Sequence, residues 1–414
     1  MIFRRLVSSR QAVSVSRHHC VLLFALLLAP LGQTLRAEDP DLPVRIWMRP
    51  PTPPSVPEQE VDETLDKGVK YLIDTQRKDG AWGGPQWRGG VDSDPVPGSF
   101  RSFDIAIAAM ALEALLDSKP SASVTEEELE TSRQKALDYL FRKTKGIRRA
   151  GPGDLPHIWA HGYSLQTFAK IHSRTDDAEL REKLESSMRI HADRLKRWES
   201  INGGWFYYGS GMAKPINPSC SFVNSAILVS LARAREVGID ADSKMLDRAI
   251  RATQRMRKPD GSFLYTARIA SDMAGAAREI NRPAGSLGRS QAGNIALRLW
   301  GDEKITNDVI HDWLTRLVVR HGWLDMGRKR QIPHESHAAV AGYFYYFGVY
   351  YGCLCLDVLS PGEREVYQHH LARILIDRQE PDGSWFDYPL YNYGKPYGTA
   401  FALLSLQRCR VTQE

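Results

Sequence analysis

From Val61 onward, apolar residues recur at helical spacing and strand-like alternation is scarce. Two kinds of segment alternate. In the first, the apolar positions form one stripe. Leu65, Val69, Leu72 and Ile73 sit at i, i+4, i+7 and i+8, and Tyr367, Leu371, Ile374 and Leu375 repeat that spacing near the end. Such a stripe predicts a helix with one buried face. The second kind is apolar nearly all round and rich in small residues, as in 103–116, 221–234, 290–300 and 398–407. A helix that is apolar on every side is buried on every side. The alternation therefore predicts hairpins, each pairing an outer helix with a buried inner one.

Between the two kinds lies a recurring turn: QRKDGAW (76–82), ESINGGW (199–205), RKPDGSF (257–263) and QEPDGSW (379–385). Asp-Gly or Asn-Gly supplies a tight reversal, with glycine taking positive φ. The aromatic is expected to pack over the turn, and the glutamine to bond carbonyls freed at the preceding helix end. A degenerate copy ends at Trp323. The aromatics at 82, 205, 263, 323 and 385 lie about 60 residues apart except for a first interval of about two periods, which predicts an eroded sixth unit near residue 144. Six hairpins give an all-α chain with an inner ring of helices inside an outer ring.

Charge changes the picture at the N-terminus. The 414 residues carry 55 Lys+Arg against 49 Asp+Glu, a net of +6. Residues 1–37 hold five arginines, no lysine and no acid, with an apolar run at 20–30 and a small residue at Ala37. This describes a signal peptide, and the run is too short to span a bilayer. Its removal leaves 50 Lys+Arg against 49 Asp+Glu, so the support for a nucleic-acid partner disappears. The expectation is a protein exported to the periplasm or beyond, with no stable membrane span. Residues 38–59 contain seven prolines and read as an extended lead-in. Residues 60–414 read as one domain. Cys220, Cys353, Cys355 and Cys409 are too few for a disulfide framework and read as buried thiols.

On its Q-x-x-D-G-x-W turns and on PYGTAFALLSLQ (396–407), the chain resembles the squalene-hopene cyclase and protein prenyltransferase β-subunit repeat superfamily over about residues 60–410. It looks most like the secreted, planctomycete-type bacterial branch. The resemblance implies an (α/α)6 toroid of six hairpins. It does not carry the family's activities across. The cyclases open an inner helix with D-x-D-D-T-A, where this chain has Ser102-Phe103-Asp104-Ile105-Ala106. The prenyltransferases bind zinc through Asp-x-Cys and a later His. Here Pro218 stands in place of that Asp before Cys220, and Ser286-Leu287-Gly288-Arg289 lacks the His. No cofactor and no metal are expected.

Parallel inner helices bring their N-termini to one mouth, where partial positive charge collects. Asp104, Cys220, Arg289 and Tyr397 open inner helices there. His157 and His161 share one helix face, a weak metal signal, and His334 and His337 precede the fifth inner helix. Asp104, His161 and His337 are the candidate catalytic residues, the histidines because they titrate near working pH. GYFYYFGVYYG (342–352) holds seven aromatics in eleven residues, with Tyr343, Tyr346 and Tyr350 on one helix face. If that face lines the ring, Tyr163, Cys220, Arg289, Tyr343, Tyr346, Tyr350 and Tyr397 are the candidate ligand contacts. Long turns at 85–101, 206–218 and 264–285 suit a binding rim, and Asp92 and Asp94 lie in the first of them. The main reading is a small hydrophobic, isoprenoid-like or elongated ligand in an aromatic cavity. The alternatives are a carbohydrate lyase or hydrolase, acting on a glycan, or a terpene cyclase-like enzyme with an unrecognised acid. A glycosidase needs two facing carboxylates, and Asp104, Glu113 and Glu335 are the evident acids. Oligomeric state is left open.

Overall fold

The alternation of striped and all-round apolar segments is an alternation of two helix rings. The computed structural model describes residues 50–86, 101–146, 158–207, 215–216, 218–266 and 279–410. Twelve α-helices run through these residues. The outer ones are α1 (Glu58–Thr75), α3 (Glu126–Thr144), α5 (Ala178–Trp198), α7 (Ser243–Met256), α9 (Asn307–Asp325) and α11 (Pro361–Ile376). The inner ones are α2 (Arg101–Leu116), α4 (Ile158–His172), α6 (Ser221–Glu236), α8 (Leu287–Leu299), α10 (Phe344–Leu356) and α12 (Gly394–Arg408). Each inner helix packs on the next, and α12 returns to α2. The ring is closed, and the fold is an all-α (α/α)6 toroid. Among the described residues the only β pairing is two isolated bridges, Cys220 with Thr266 and Arg257 with Phe263. No described helix is long and apolar enough to cross a membrane.

The turns are built by three repeated bonds. Trp82, Trp205 and Trp385 are each fully buried. Their indole nitrogens donate to the carbonyls of Leu72, Leu195 and Leu375 at 2.7, 2.9 and 2.8 Å. Each indole thus satisfies a carbonyl left over near the end of the outer helix before it. The backbone N–H of the aromatic is taken by the following inner helix. Trp205 donates to Asn224 Oδ1, Phe263 to Ser290 Oγ and Trp385 to Thr399 Oγ1.

The glutamines act differently from the expectation. Gln76 donates to Gly80 O in its own turn and to Ser132 O on α3, and Gln379 does the same to Gly383 O and to Thr64 O on α1. The preceding helix end is already served by the indole, so the amide reaches the next outer helix. Gln379 thereby ties the last unit to the first. Arg373 on α11 adds a two-pronged pair with Glu60 on α1 at 2.9 and 2.6 Å.

The eroded unit is real: outer α3 ends at Thr144 and inner α4 follows from Ile158, while α3 itself packs on α2. The degenerate copy at Trp323 is not a turn. No Asp or Asn precedes Gly322, so α9 runs through it, with a break in its dihedrals at Arg320 (φ −119°, ψ 15°). Four cysteines, Cys220, Cys353, Cys355 and Cys409, are free and buried.

Candidate functional site: the N-terminal mouth of the inner ring

Most outer helices begin differently from the inner ones whose starts are described. Thr125, Asp177, Asp242 and Thr306 cap α3, α5, α7 and α9 with their side chains. The N-cap side chains of α6, α8, α10 and α12 make no such bond. The uncapped ends all face one mouth, which is the positive end of six parallel helix dipoles.

The bore below that mouth is filled. Tyr163 on α4 and Tyr351 on α10, which stand across the ring, bring their hydroxyls to 3.4 Å. Gln166 on α4 donates to Tyr350 Oη at 2.6 Å and to both oxygens of Glu113 on α2, at 2.9 and 3.1 Å. Phe222 meets Phe344 edge to face with centroids 5.1 Å apart, and Phe401 meets both Tyr163 and Tyr350. This corrects the expected aromatic cavity. Tyr346 and Tyr350 have no exposed surface. The bulk of Phe347, Tyr350 and Tyr351 on α10, packed against Tyr163 and Phe401, fills its centre. Tyr346 is held by its backbone N–H, which donates to Asp387 Oδ2 at 3.2 Å.

What remains open is a shallow dish. Phe103, Trp159, Phe206, Tyr207, Tyr265, Tyr343, Tyr391 and Tyr397 are half-buried at the inner-helix starts or in the turns before them, at least one in each of the six units. From Trp159 to Tyr397 they form a connected arc. Trp159 stacks on Phe222, and Tyr207 and Tyr265 both touch Phe222 and join hydroxyls at 3.0 Å. His334 lies edge-on to Tyr265 and Tyr343, and the Tyr397 hydroxyl donates to Tyr343 O at 2.8 Å.

His334 is the described imidazole in this arc. Its Nδ1 donates to Ala339 O at 2.7 Å, which leaves Nε2 to accept from the Tyr343 hydroxyl at 3.1 Å. Its backbone is left-handed (φ +64°), as it is at Lys329, Ala338 and Ala339 in the same connection. Such strain persists where surrounding structure over-determines it, often at functional sites. A half-buried tyrosine donating to an oriented imidazole is an arrangement that moves protons.

The other candidates are placed as follows. Asp104 accepts from Arg77 Nη1 at 2.9 Å and from the Tyr393 hydroxyl at 3.0 Å. Burial raises its pKa, and Arg77 and Tyr393 pull it back. Cys220 is fully buried at the start of α6, and burial pushes its thiol well up, so no thiolate is presented. Arg289 is buried beneath the dish. Glu335 pairs with Arg330 at 3.4 Å. His157, Asp92 and Asp94 lie outside the described residues, as does the side chain of His337. Among the described residues no group of three metal-ligating side chains occurs. Sequence reasoning missed Asp387, a fully buried acid whose pKa burial raises to about 8. It also missed the recurrence of an aromatic at inner-helix starts, which aligning Phe103, Trp159, Tyr343 and Tyr397 would have revealed.

His161 is not at the mouth. Its Nδ1 meets His191 Nδ1 at 3.0 Å, between α4 and outer α5, and both rings are fully buried. The correction has a simple cause: residues four apart share a helix face, but nothing in the spacing says which ring that face meets. Burial lowers the His191 pKa to about 3. The folded state therefore refuses a proton that the unfolded chain accepts below its ordinary value of 6.5. Stability is fully present above about pH 6.5 and falls as pH drops toward 3, by up to about 1.4 kcal/mol per pH unit. Replacing His191 by glutamine is expected to flatten that loss in urea titrations between pH 4 and 7.

No family model and no curated protein sequence matches the chain. Solved structures do. An α-1,6-mannanase from Salegentibacter sp. HEL1_6 superposes with TM-score 0.53 at 12% identity, over 84% of this chain and 98% of that one. An unsaturated glucuronyl hydrolase from Streptococcus agalactiae gives 0.54 at 15% identity, over 90% and 96%. A cellobiose 2-epimerase from Bacillus thermoamylovorans gives 0.53 at 10% identity, over 85% and 100%. The resemblance drawn from the turns thus holds at the level these proteins share with the chain, and that level is the α/α toroid fold.

Proposed function

We propose that the protein is an exported toroid that binds a carbohydrate chain across the N-terminal mouth of its inner ring. The observation that carries this is the arc of half-buried aromatic faces around the mouth. Sugar rings have apolar faces that stack on aromatic ones, with hydroxyls left to bond polar rims. The Tyr207, Tyr265 and Tyr343 hydroxyls and His334 supply such a rim. The same geometry argues against the isoprenoid reading. A long apolar ligand needs a deep bore, and this bore is closed by Tyr163, Tyr351 and Phe401. Solved toroids with this fold include a mannanase variant in complex with α-1,6-mannotetrose, which agrees with the proposal without identifying the sugar.

Titration of the purified protein with neutral and acidic tetraoses, followed by tryptophan fluorescence and calorimetry, tests the reading. Binding is expected, and Trp159→Ala is expected to weaken it about tenfold or more, the loss of one stacked face. Binding of an isoprenoid alcohol with no response to any tetraose sinks the reading.

A further inference from the structure

We infer that the sugar bound at this mouth is acidic, its anionic group drawn by Arg289 beneath the Tyr207–Tyr265–Tyr343 part of the rim. The inference rests on the carbohydrate reading and adds the chemical class of the ligand.

Arg289 is 1% exposed. Its Nε donates to Phe263 O at 3.0 Å, its Nη1 to Gly285 O at 2.7 Å, and its Nη2 to Ile280 O and to Asn281 Oδ1. All four acceptors are neutral. Their dipoles offset part of the guanidinium's charge, but none of them carries a negative charge. Burial lowers its pKa to about 9, which leaves it a cation at neutral pH. One Nη1 hydrogen has no acceptor among the described residues. A charge taken out of water without an ion-pair partner is among the costliest features a fold can carry.

Its position adds to the cost. Arg289 occupies the first turn of α8, the helix end that favours anions. The uncapped starts of α6 and α10 point to the same region. The described acids around the mouth do not offset this. Asp104 is taken by Arg77, Glu335 by Arg330, and Glu279 by Arg282 at 3.0 Å. Asp387 is held largely protonated by burial.

One side-chain layer separates this charge from the dish. The guanidinium carbon lies 5.6 Å from the centroid of the half-buried Tyr265 ring, whose hydroxyl joins that of Tyr207. A cation at that depth, behind low-dielectric aromatic walls, acts on an anion at the rim more strongly than it would through water. The anion is a carboxylate or a sulfate on the sugar, and both satisfy the same field.

Calorimetric titration with tetragalacturonate, a sulfated galactan tetraose, mannotetraose and cellotetraose decides the matter. The expected result is that one acidic tetraose binds at least tenfold tighter than both neutral ones, and the arm that does so names the anion. In Arg289→Gln the advantage is expected to fall below twofold. Arg289→Lys keeps the charge while losing the fork, and is expected to keep most of the advantage. If Arg289→Gln does not fold, the wild-type ratio and the lysine variant still decide. Equal binding of acidic and neutral tetraoses overturns this inference and leaves the carbohydrate reading standing, as does an acidic preference unchanged in a folded Arg289→Gln. Binding of none of the four overturns both.

Discussion

Gly383→Ala is expected to cost about 3 kcal/mol or more, while Gly238→Ala costs about 1 kcal/mol. Both glycines have φ +81°, so the conformational penalty of a side chain is the same. Their surroundings differ. A Cβ at Gly238 meets nothing within 4 Å, whereas one at Gly383 falls inside the van der Waals distance of the Lys67 carbonyl on α1. The difference between the two variants measures how closely the last turn must approach the first outer helix for the ring to close. It is read as a fall in melting temperature of roughly 5 °C or more against about 2 °C for a domain of this size. Equal losses at both positions sink the argument and make the turn's packing irrelevant. The same approach recurs at Gly203, against the Arg248 carbonyl on α7, and at Gly261, against the Trp313 indole on α9. Each turn is therefore a spacer between consecutive outer helices.

Gln166→Leu is expected to destabilise the protein by about 2–4 kcal/mol, and Glu113→Leu combined with Gln166→Leu by clearly less. Glu113 sits in the wall of α2 with 4% of its side chain exposed. The Gln166 amide serves both its oxygens and the Tyr350 hydroxyl, and Lys170 stands 3.9 Å away. Removing the amide leaves the buried carboxylate only the longer contacts of Lys170 and Thr167, whereas removing both side chains takes the charge away with its partner. A double variant as unstable as the sum of its parts argues that the two side chains do not act as a unit. Chemical denaturation of the four proteins in the cycle gives the coupling directly.

The units were legible because each depends on local chemistry. The stripe of Leu65, Val69 and Leu72 is a helix face wherever it is placed, and all three are buried. Asp79-Gly80 reverses the chain through a left-handed glycine whatever follows it. The erosion near 144 was visible as a missing beat in a regular series. Trp323 failed as a turn for an equally local reason, the absence of an Asp or Asn before Gly322.

The site was less legible, because a toroid's mouth is assembled from residues far apart in the chain. Tyr346 and Tyr350 belong to an aromatic run that reads equally well as a lining or as a filling. Whether the bore is open depends on the side chains that α4, α6 and α12 send to meet them. His161 and His334 are both histidines near an inner-helix start. Only the packing of α4 on α5 turns the first toward His191, and only the left-handed backbone at 334 aims the second at Tyr343. Arg289 was a candidate by position, but the absence of a facing carboxylate among the described residues is a three-dimensional fact.

Periodicity, turn chemistry and charge by themselves determined that this chain forms six helical hairpins in two rings, because those signals act within one or two turns of helix. Tertiary structure alone decided that the ring is filled, that partly exposed aromatics gather at its N-terminal end, and that a cation lies beneath them with no ion-pair partner among the described residues. Burial, contact across the ring and electrostatic compensation are properties of neighbours in space, and a closed ring makes neighbours of residues hundreds of positions apart.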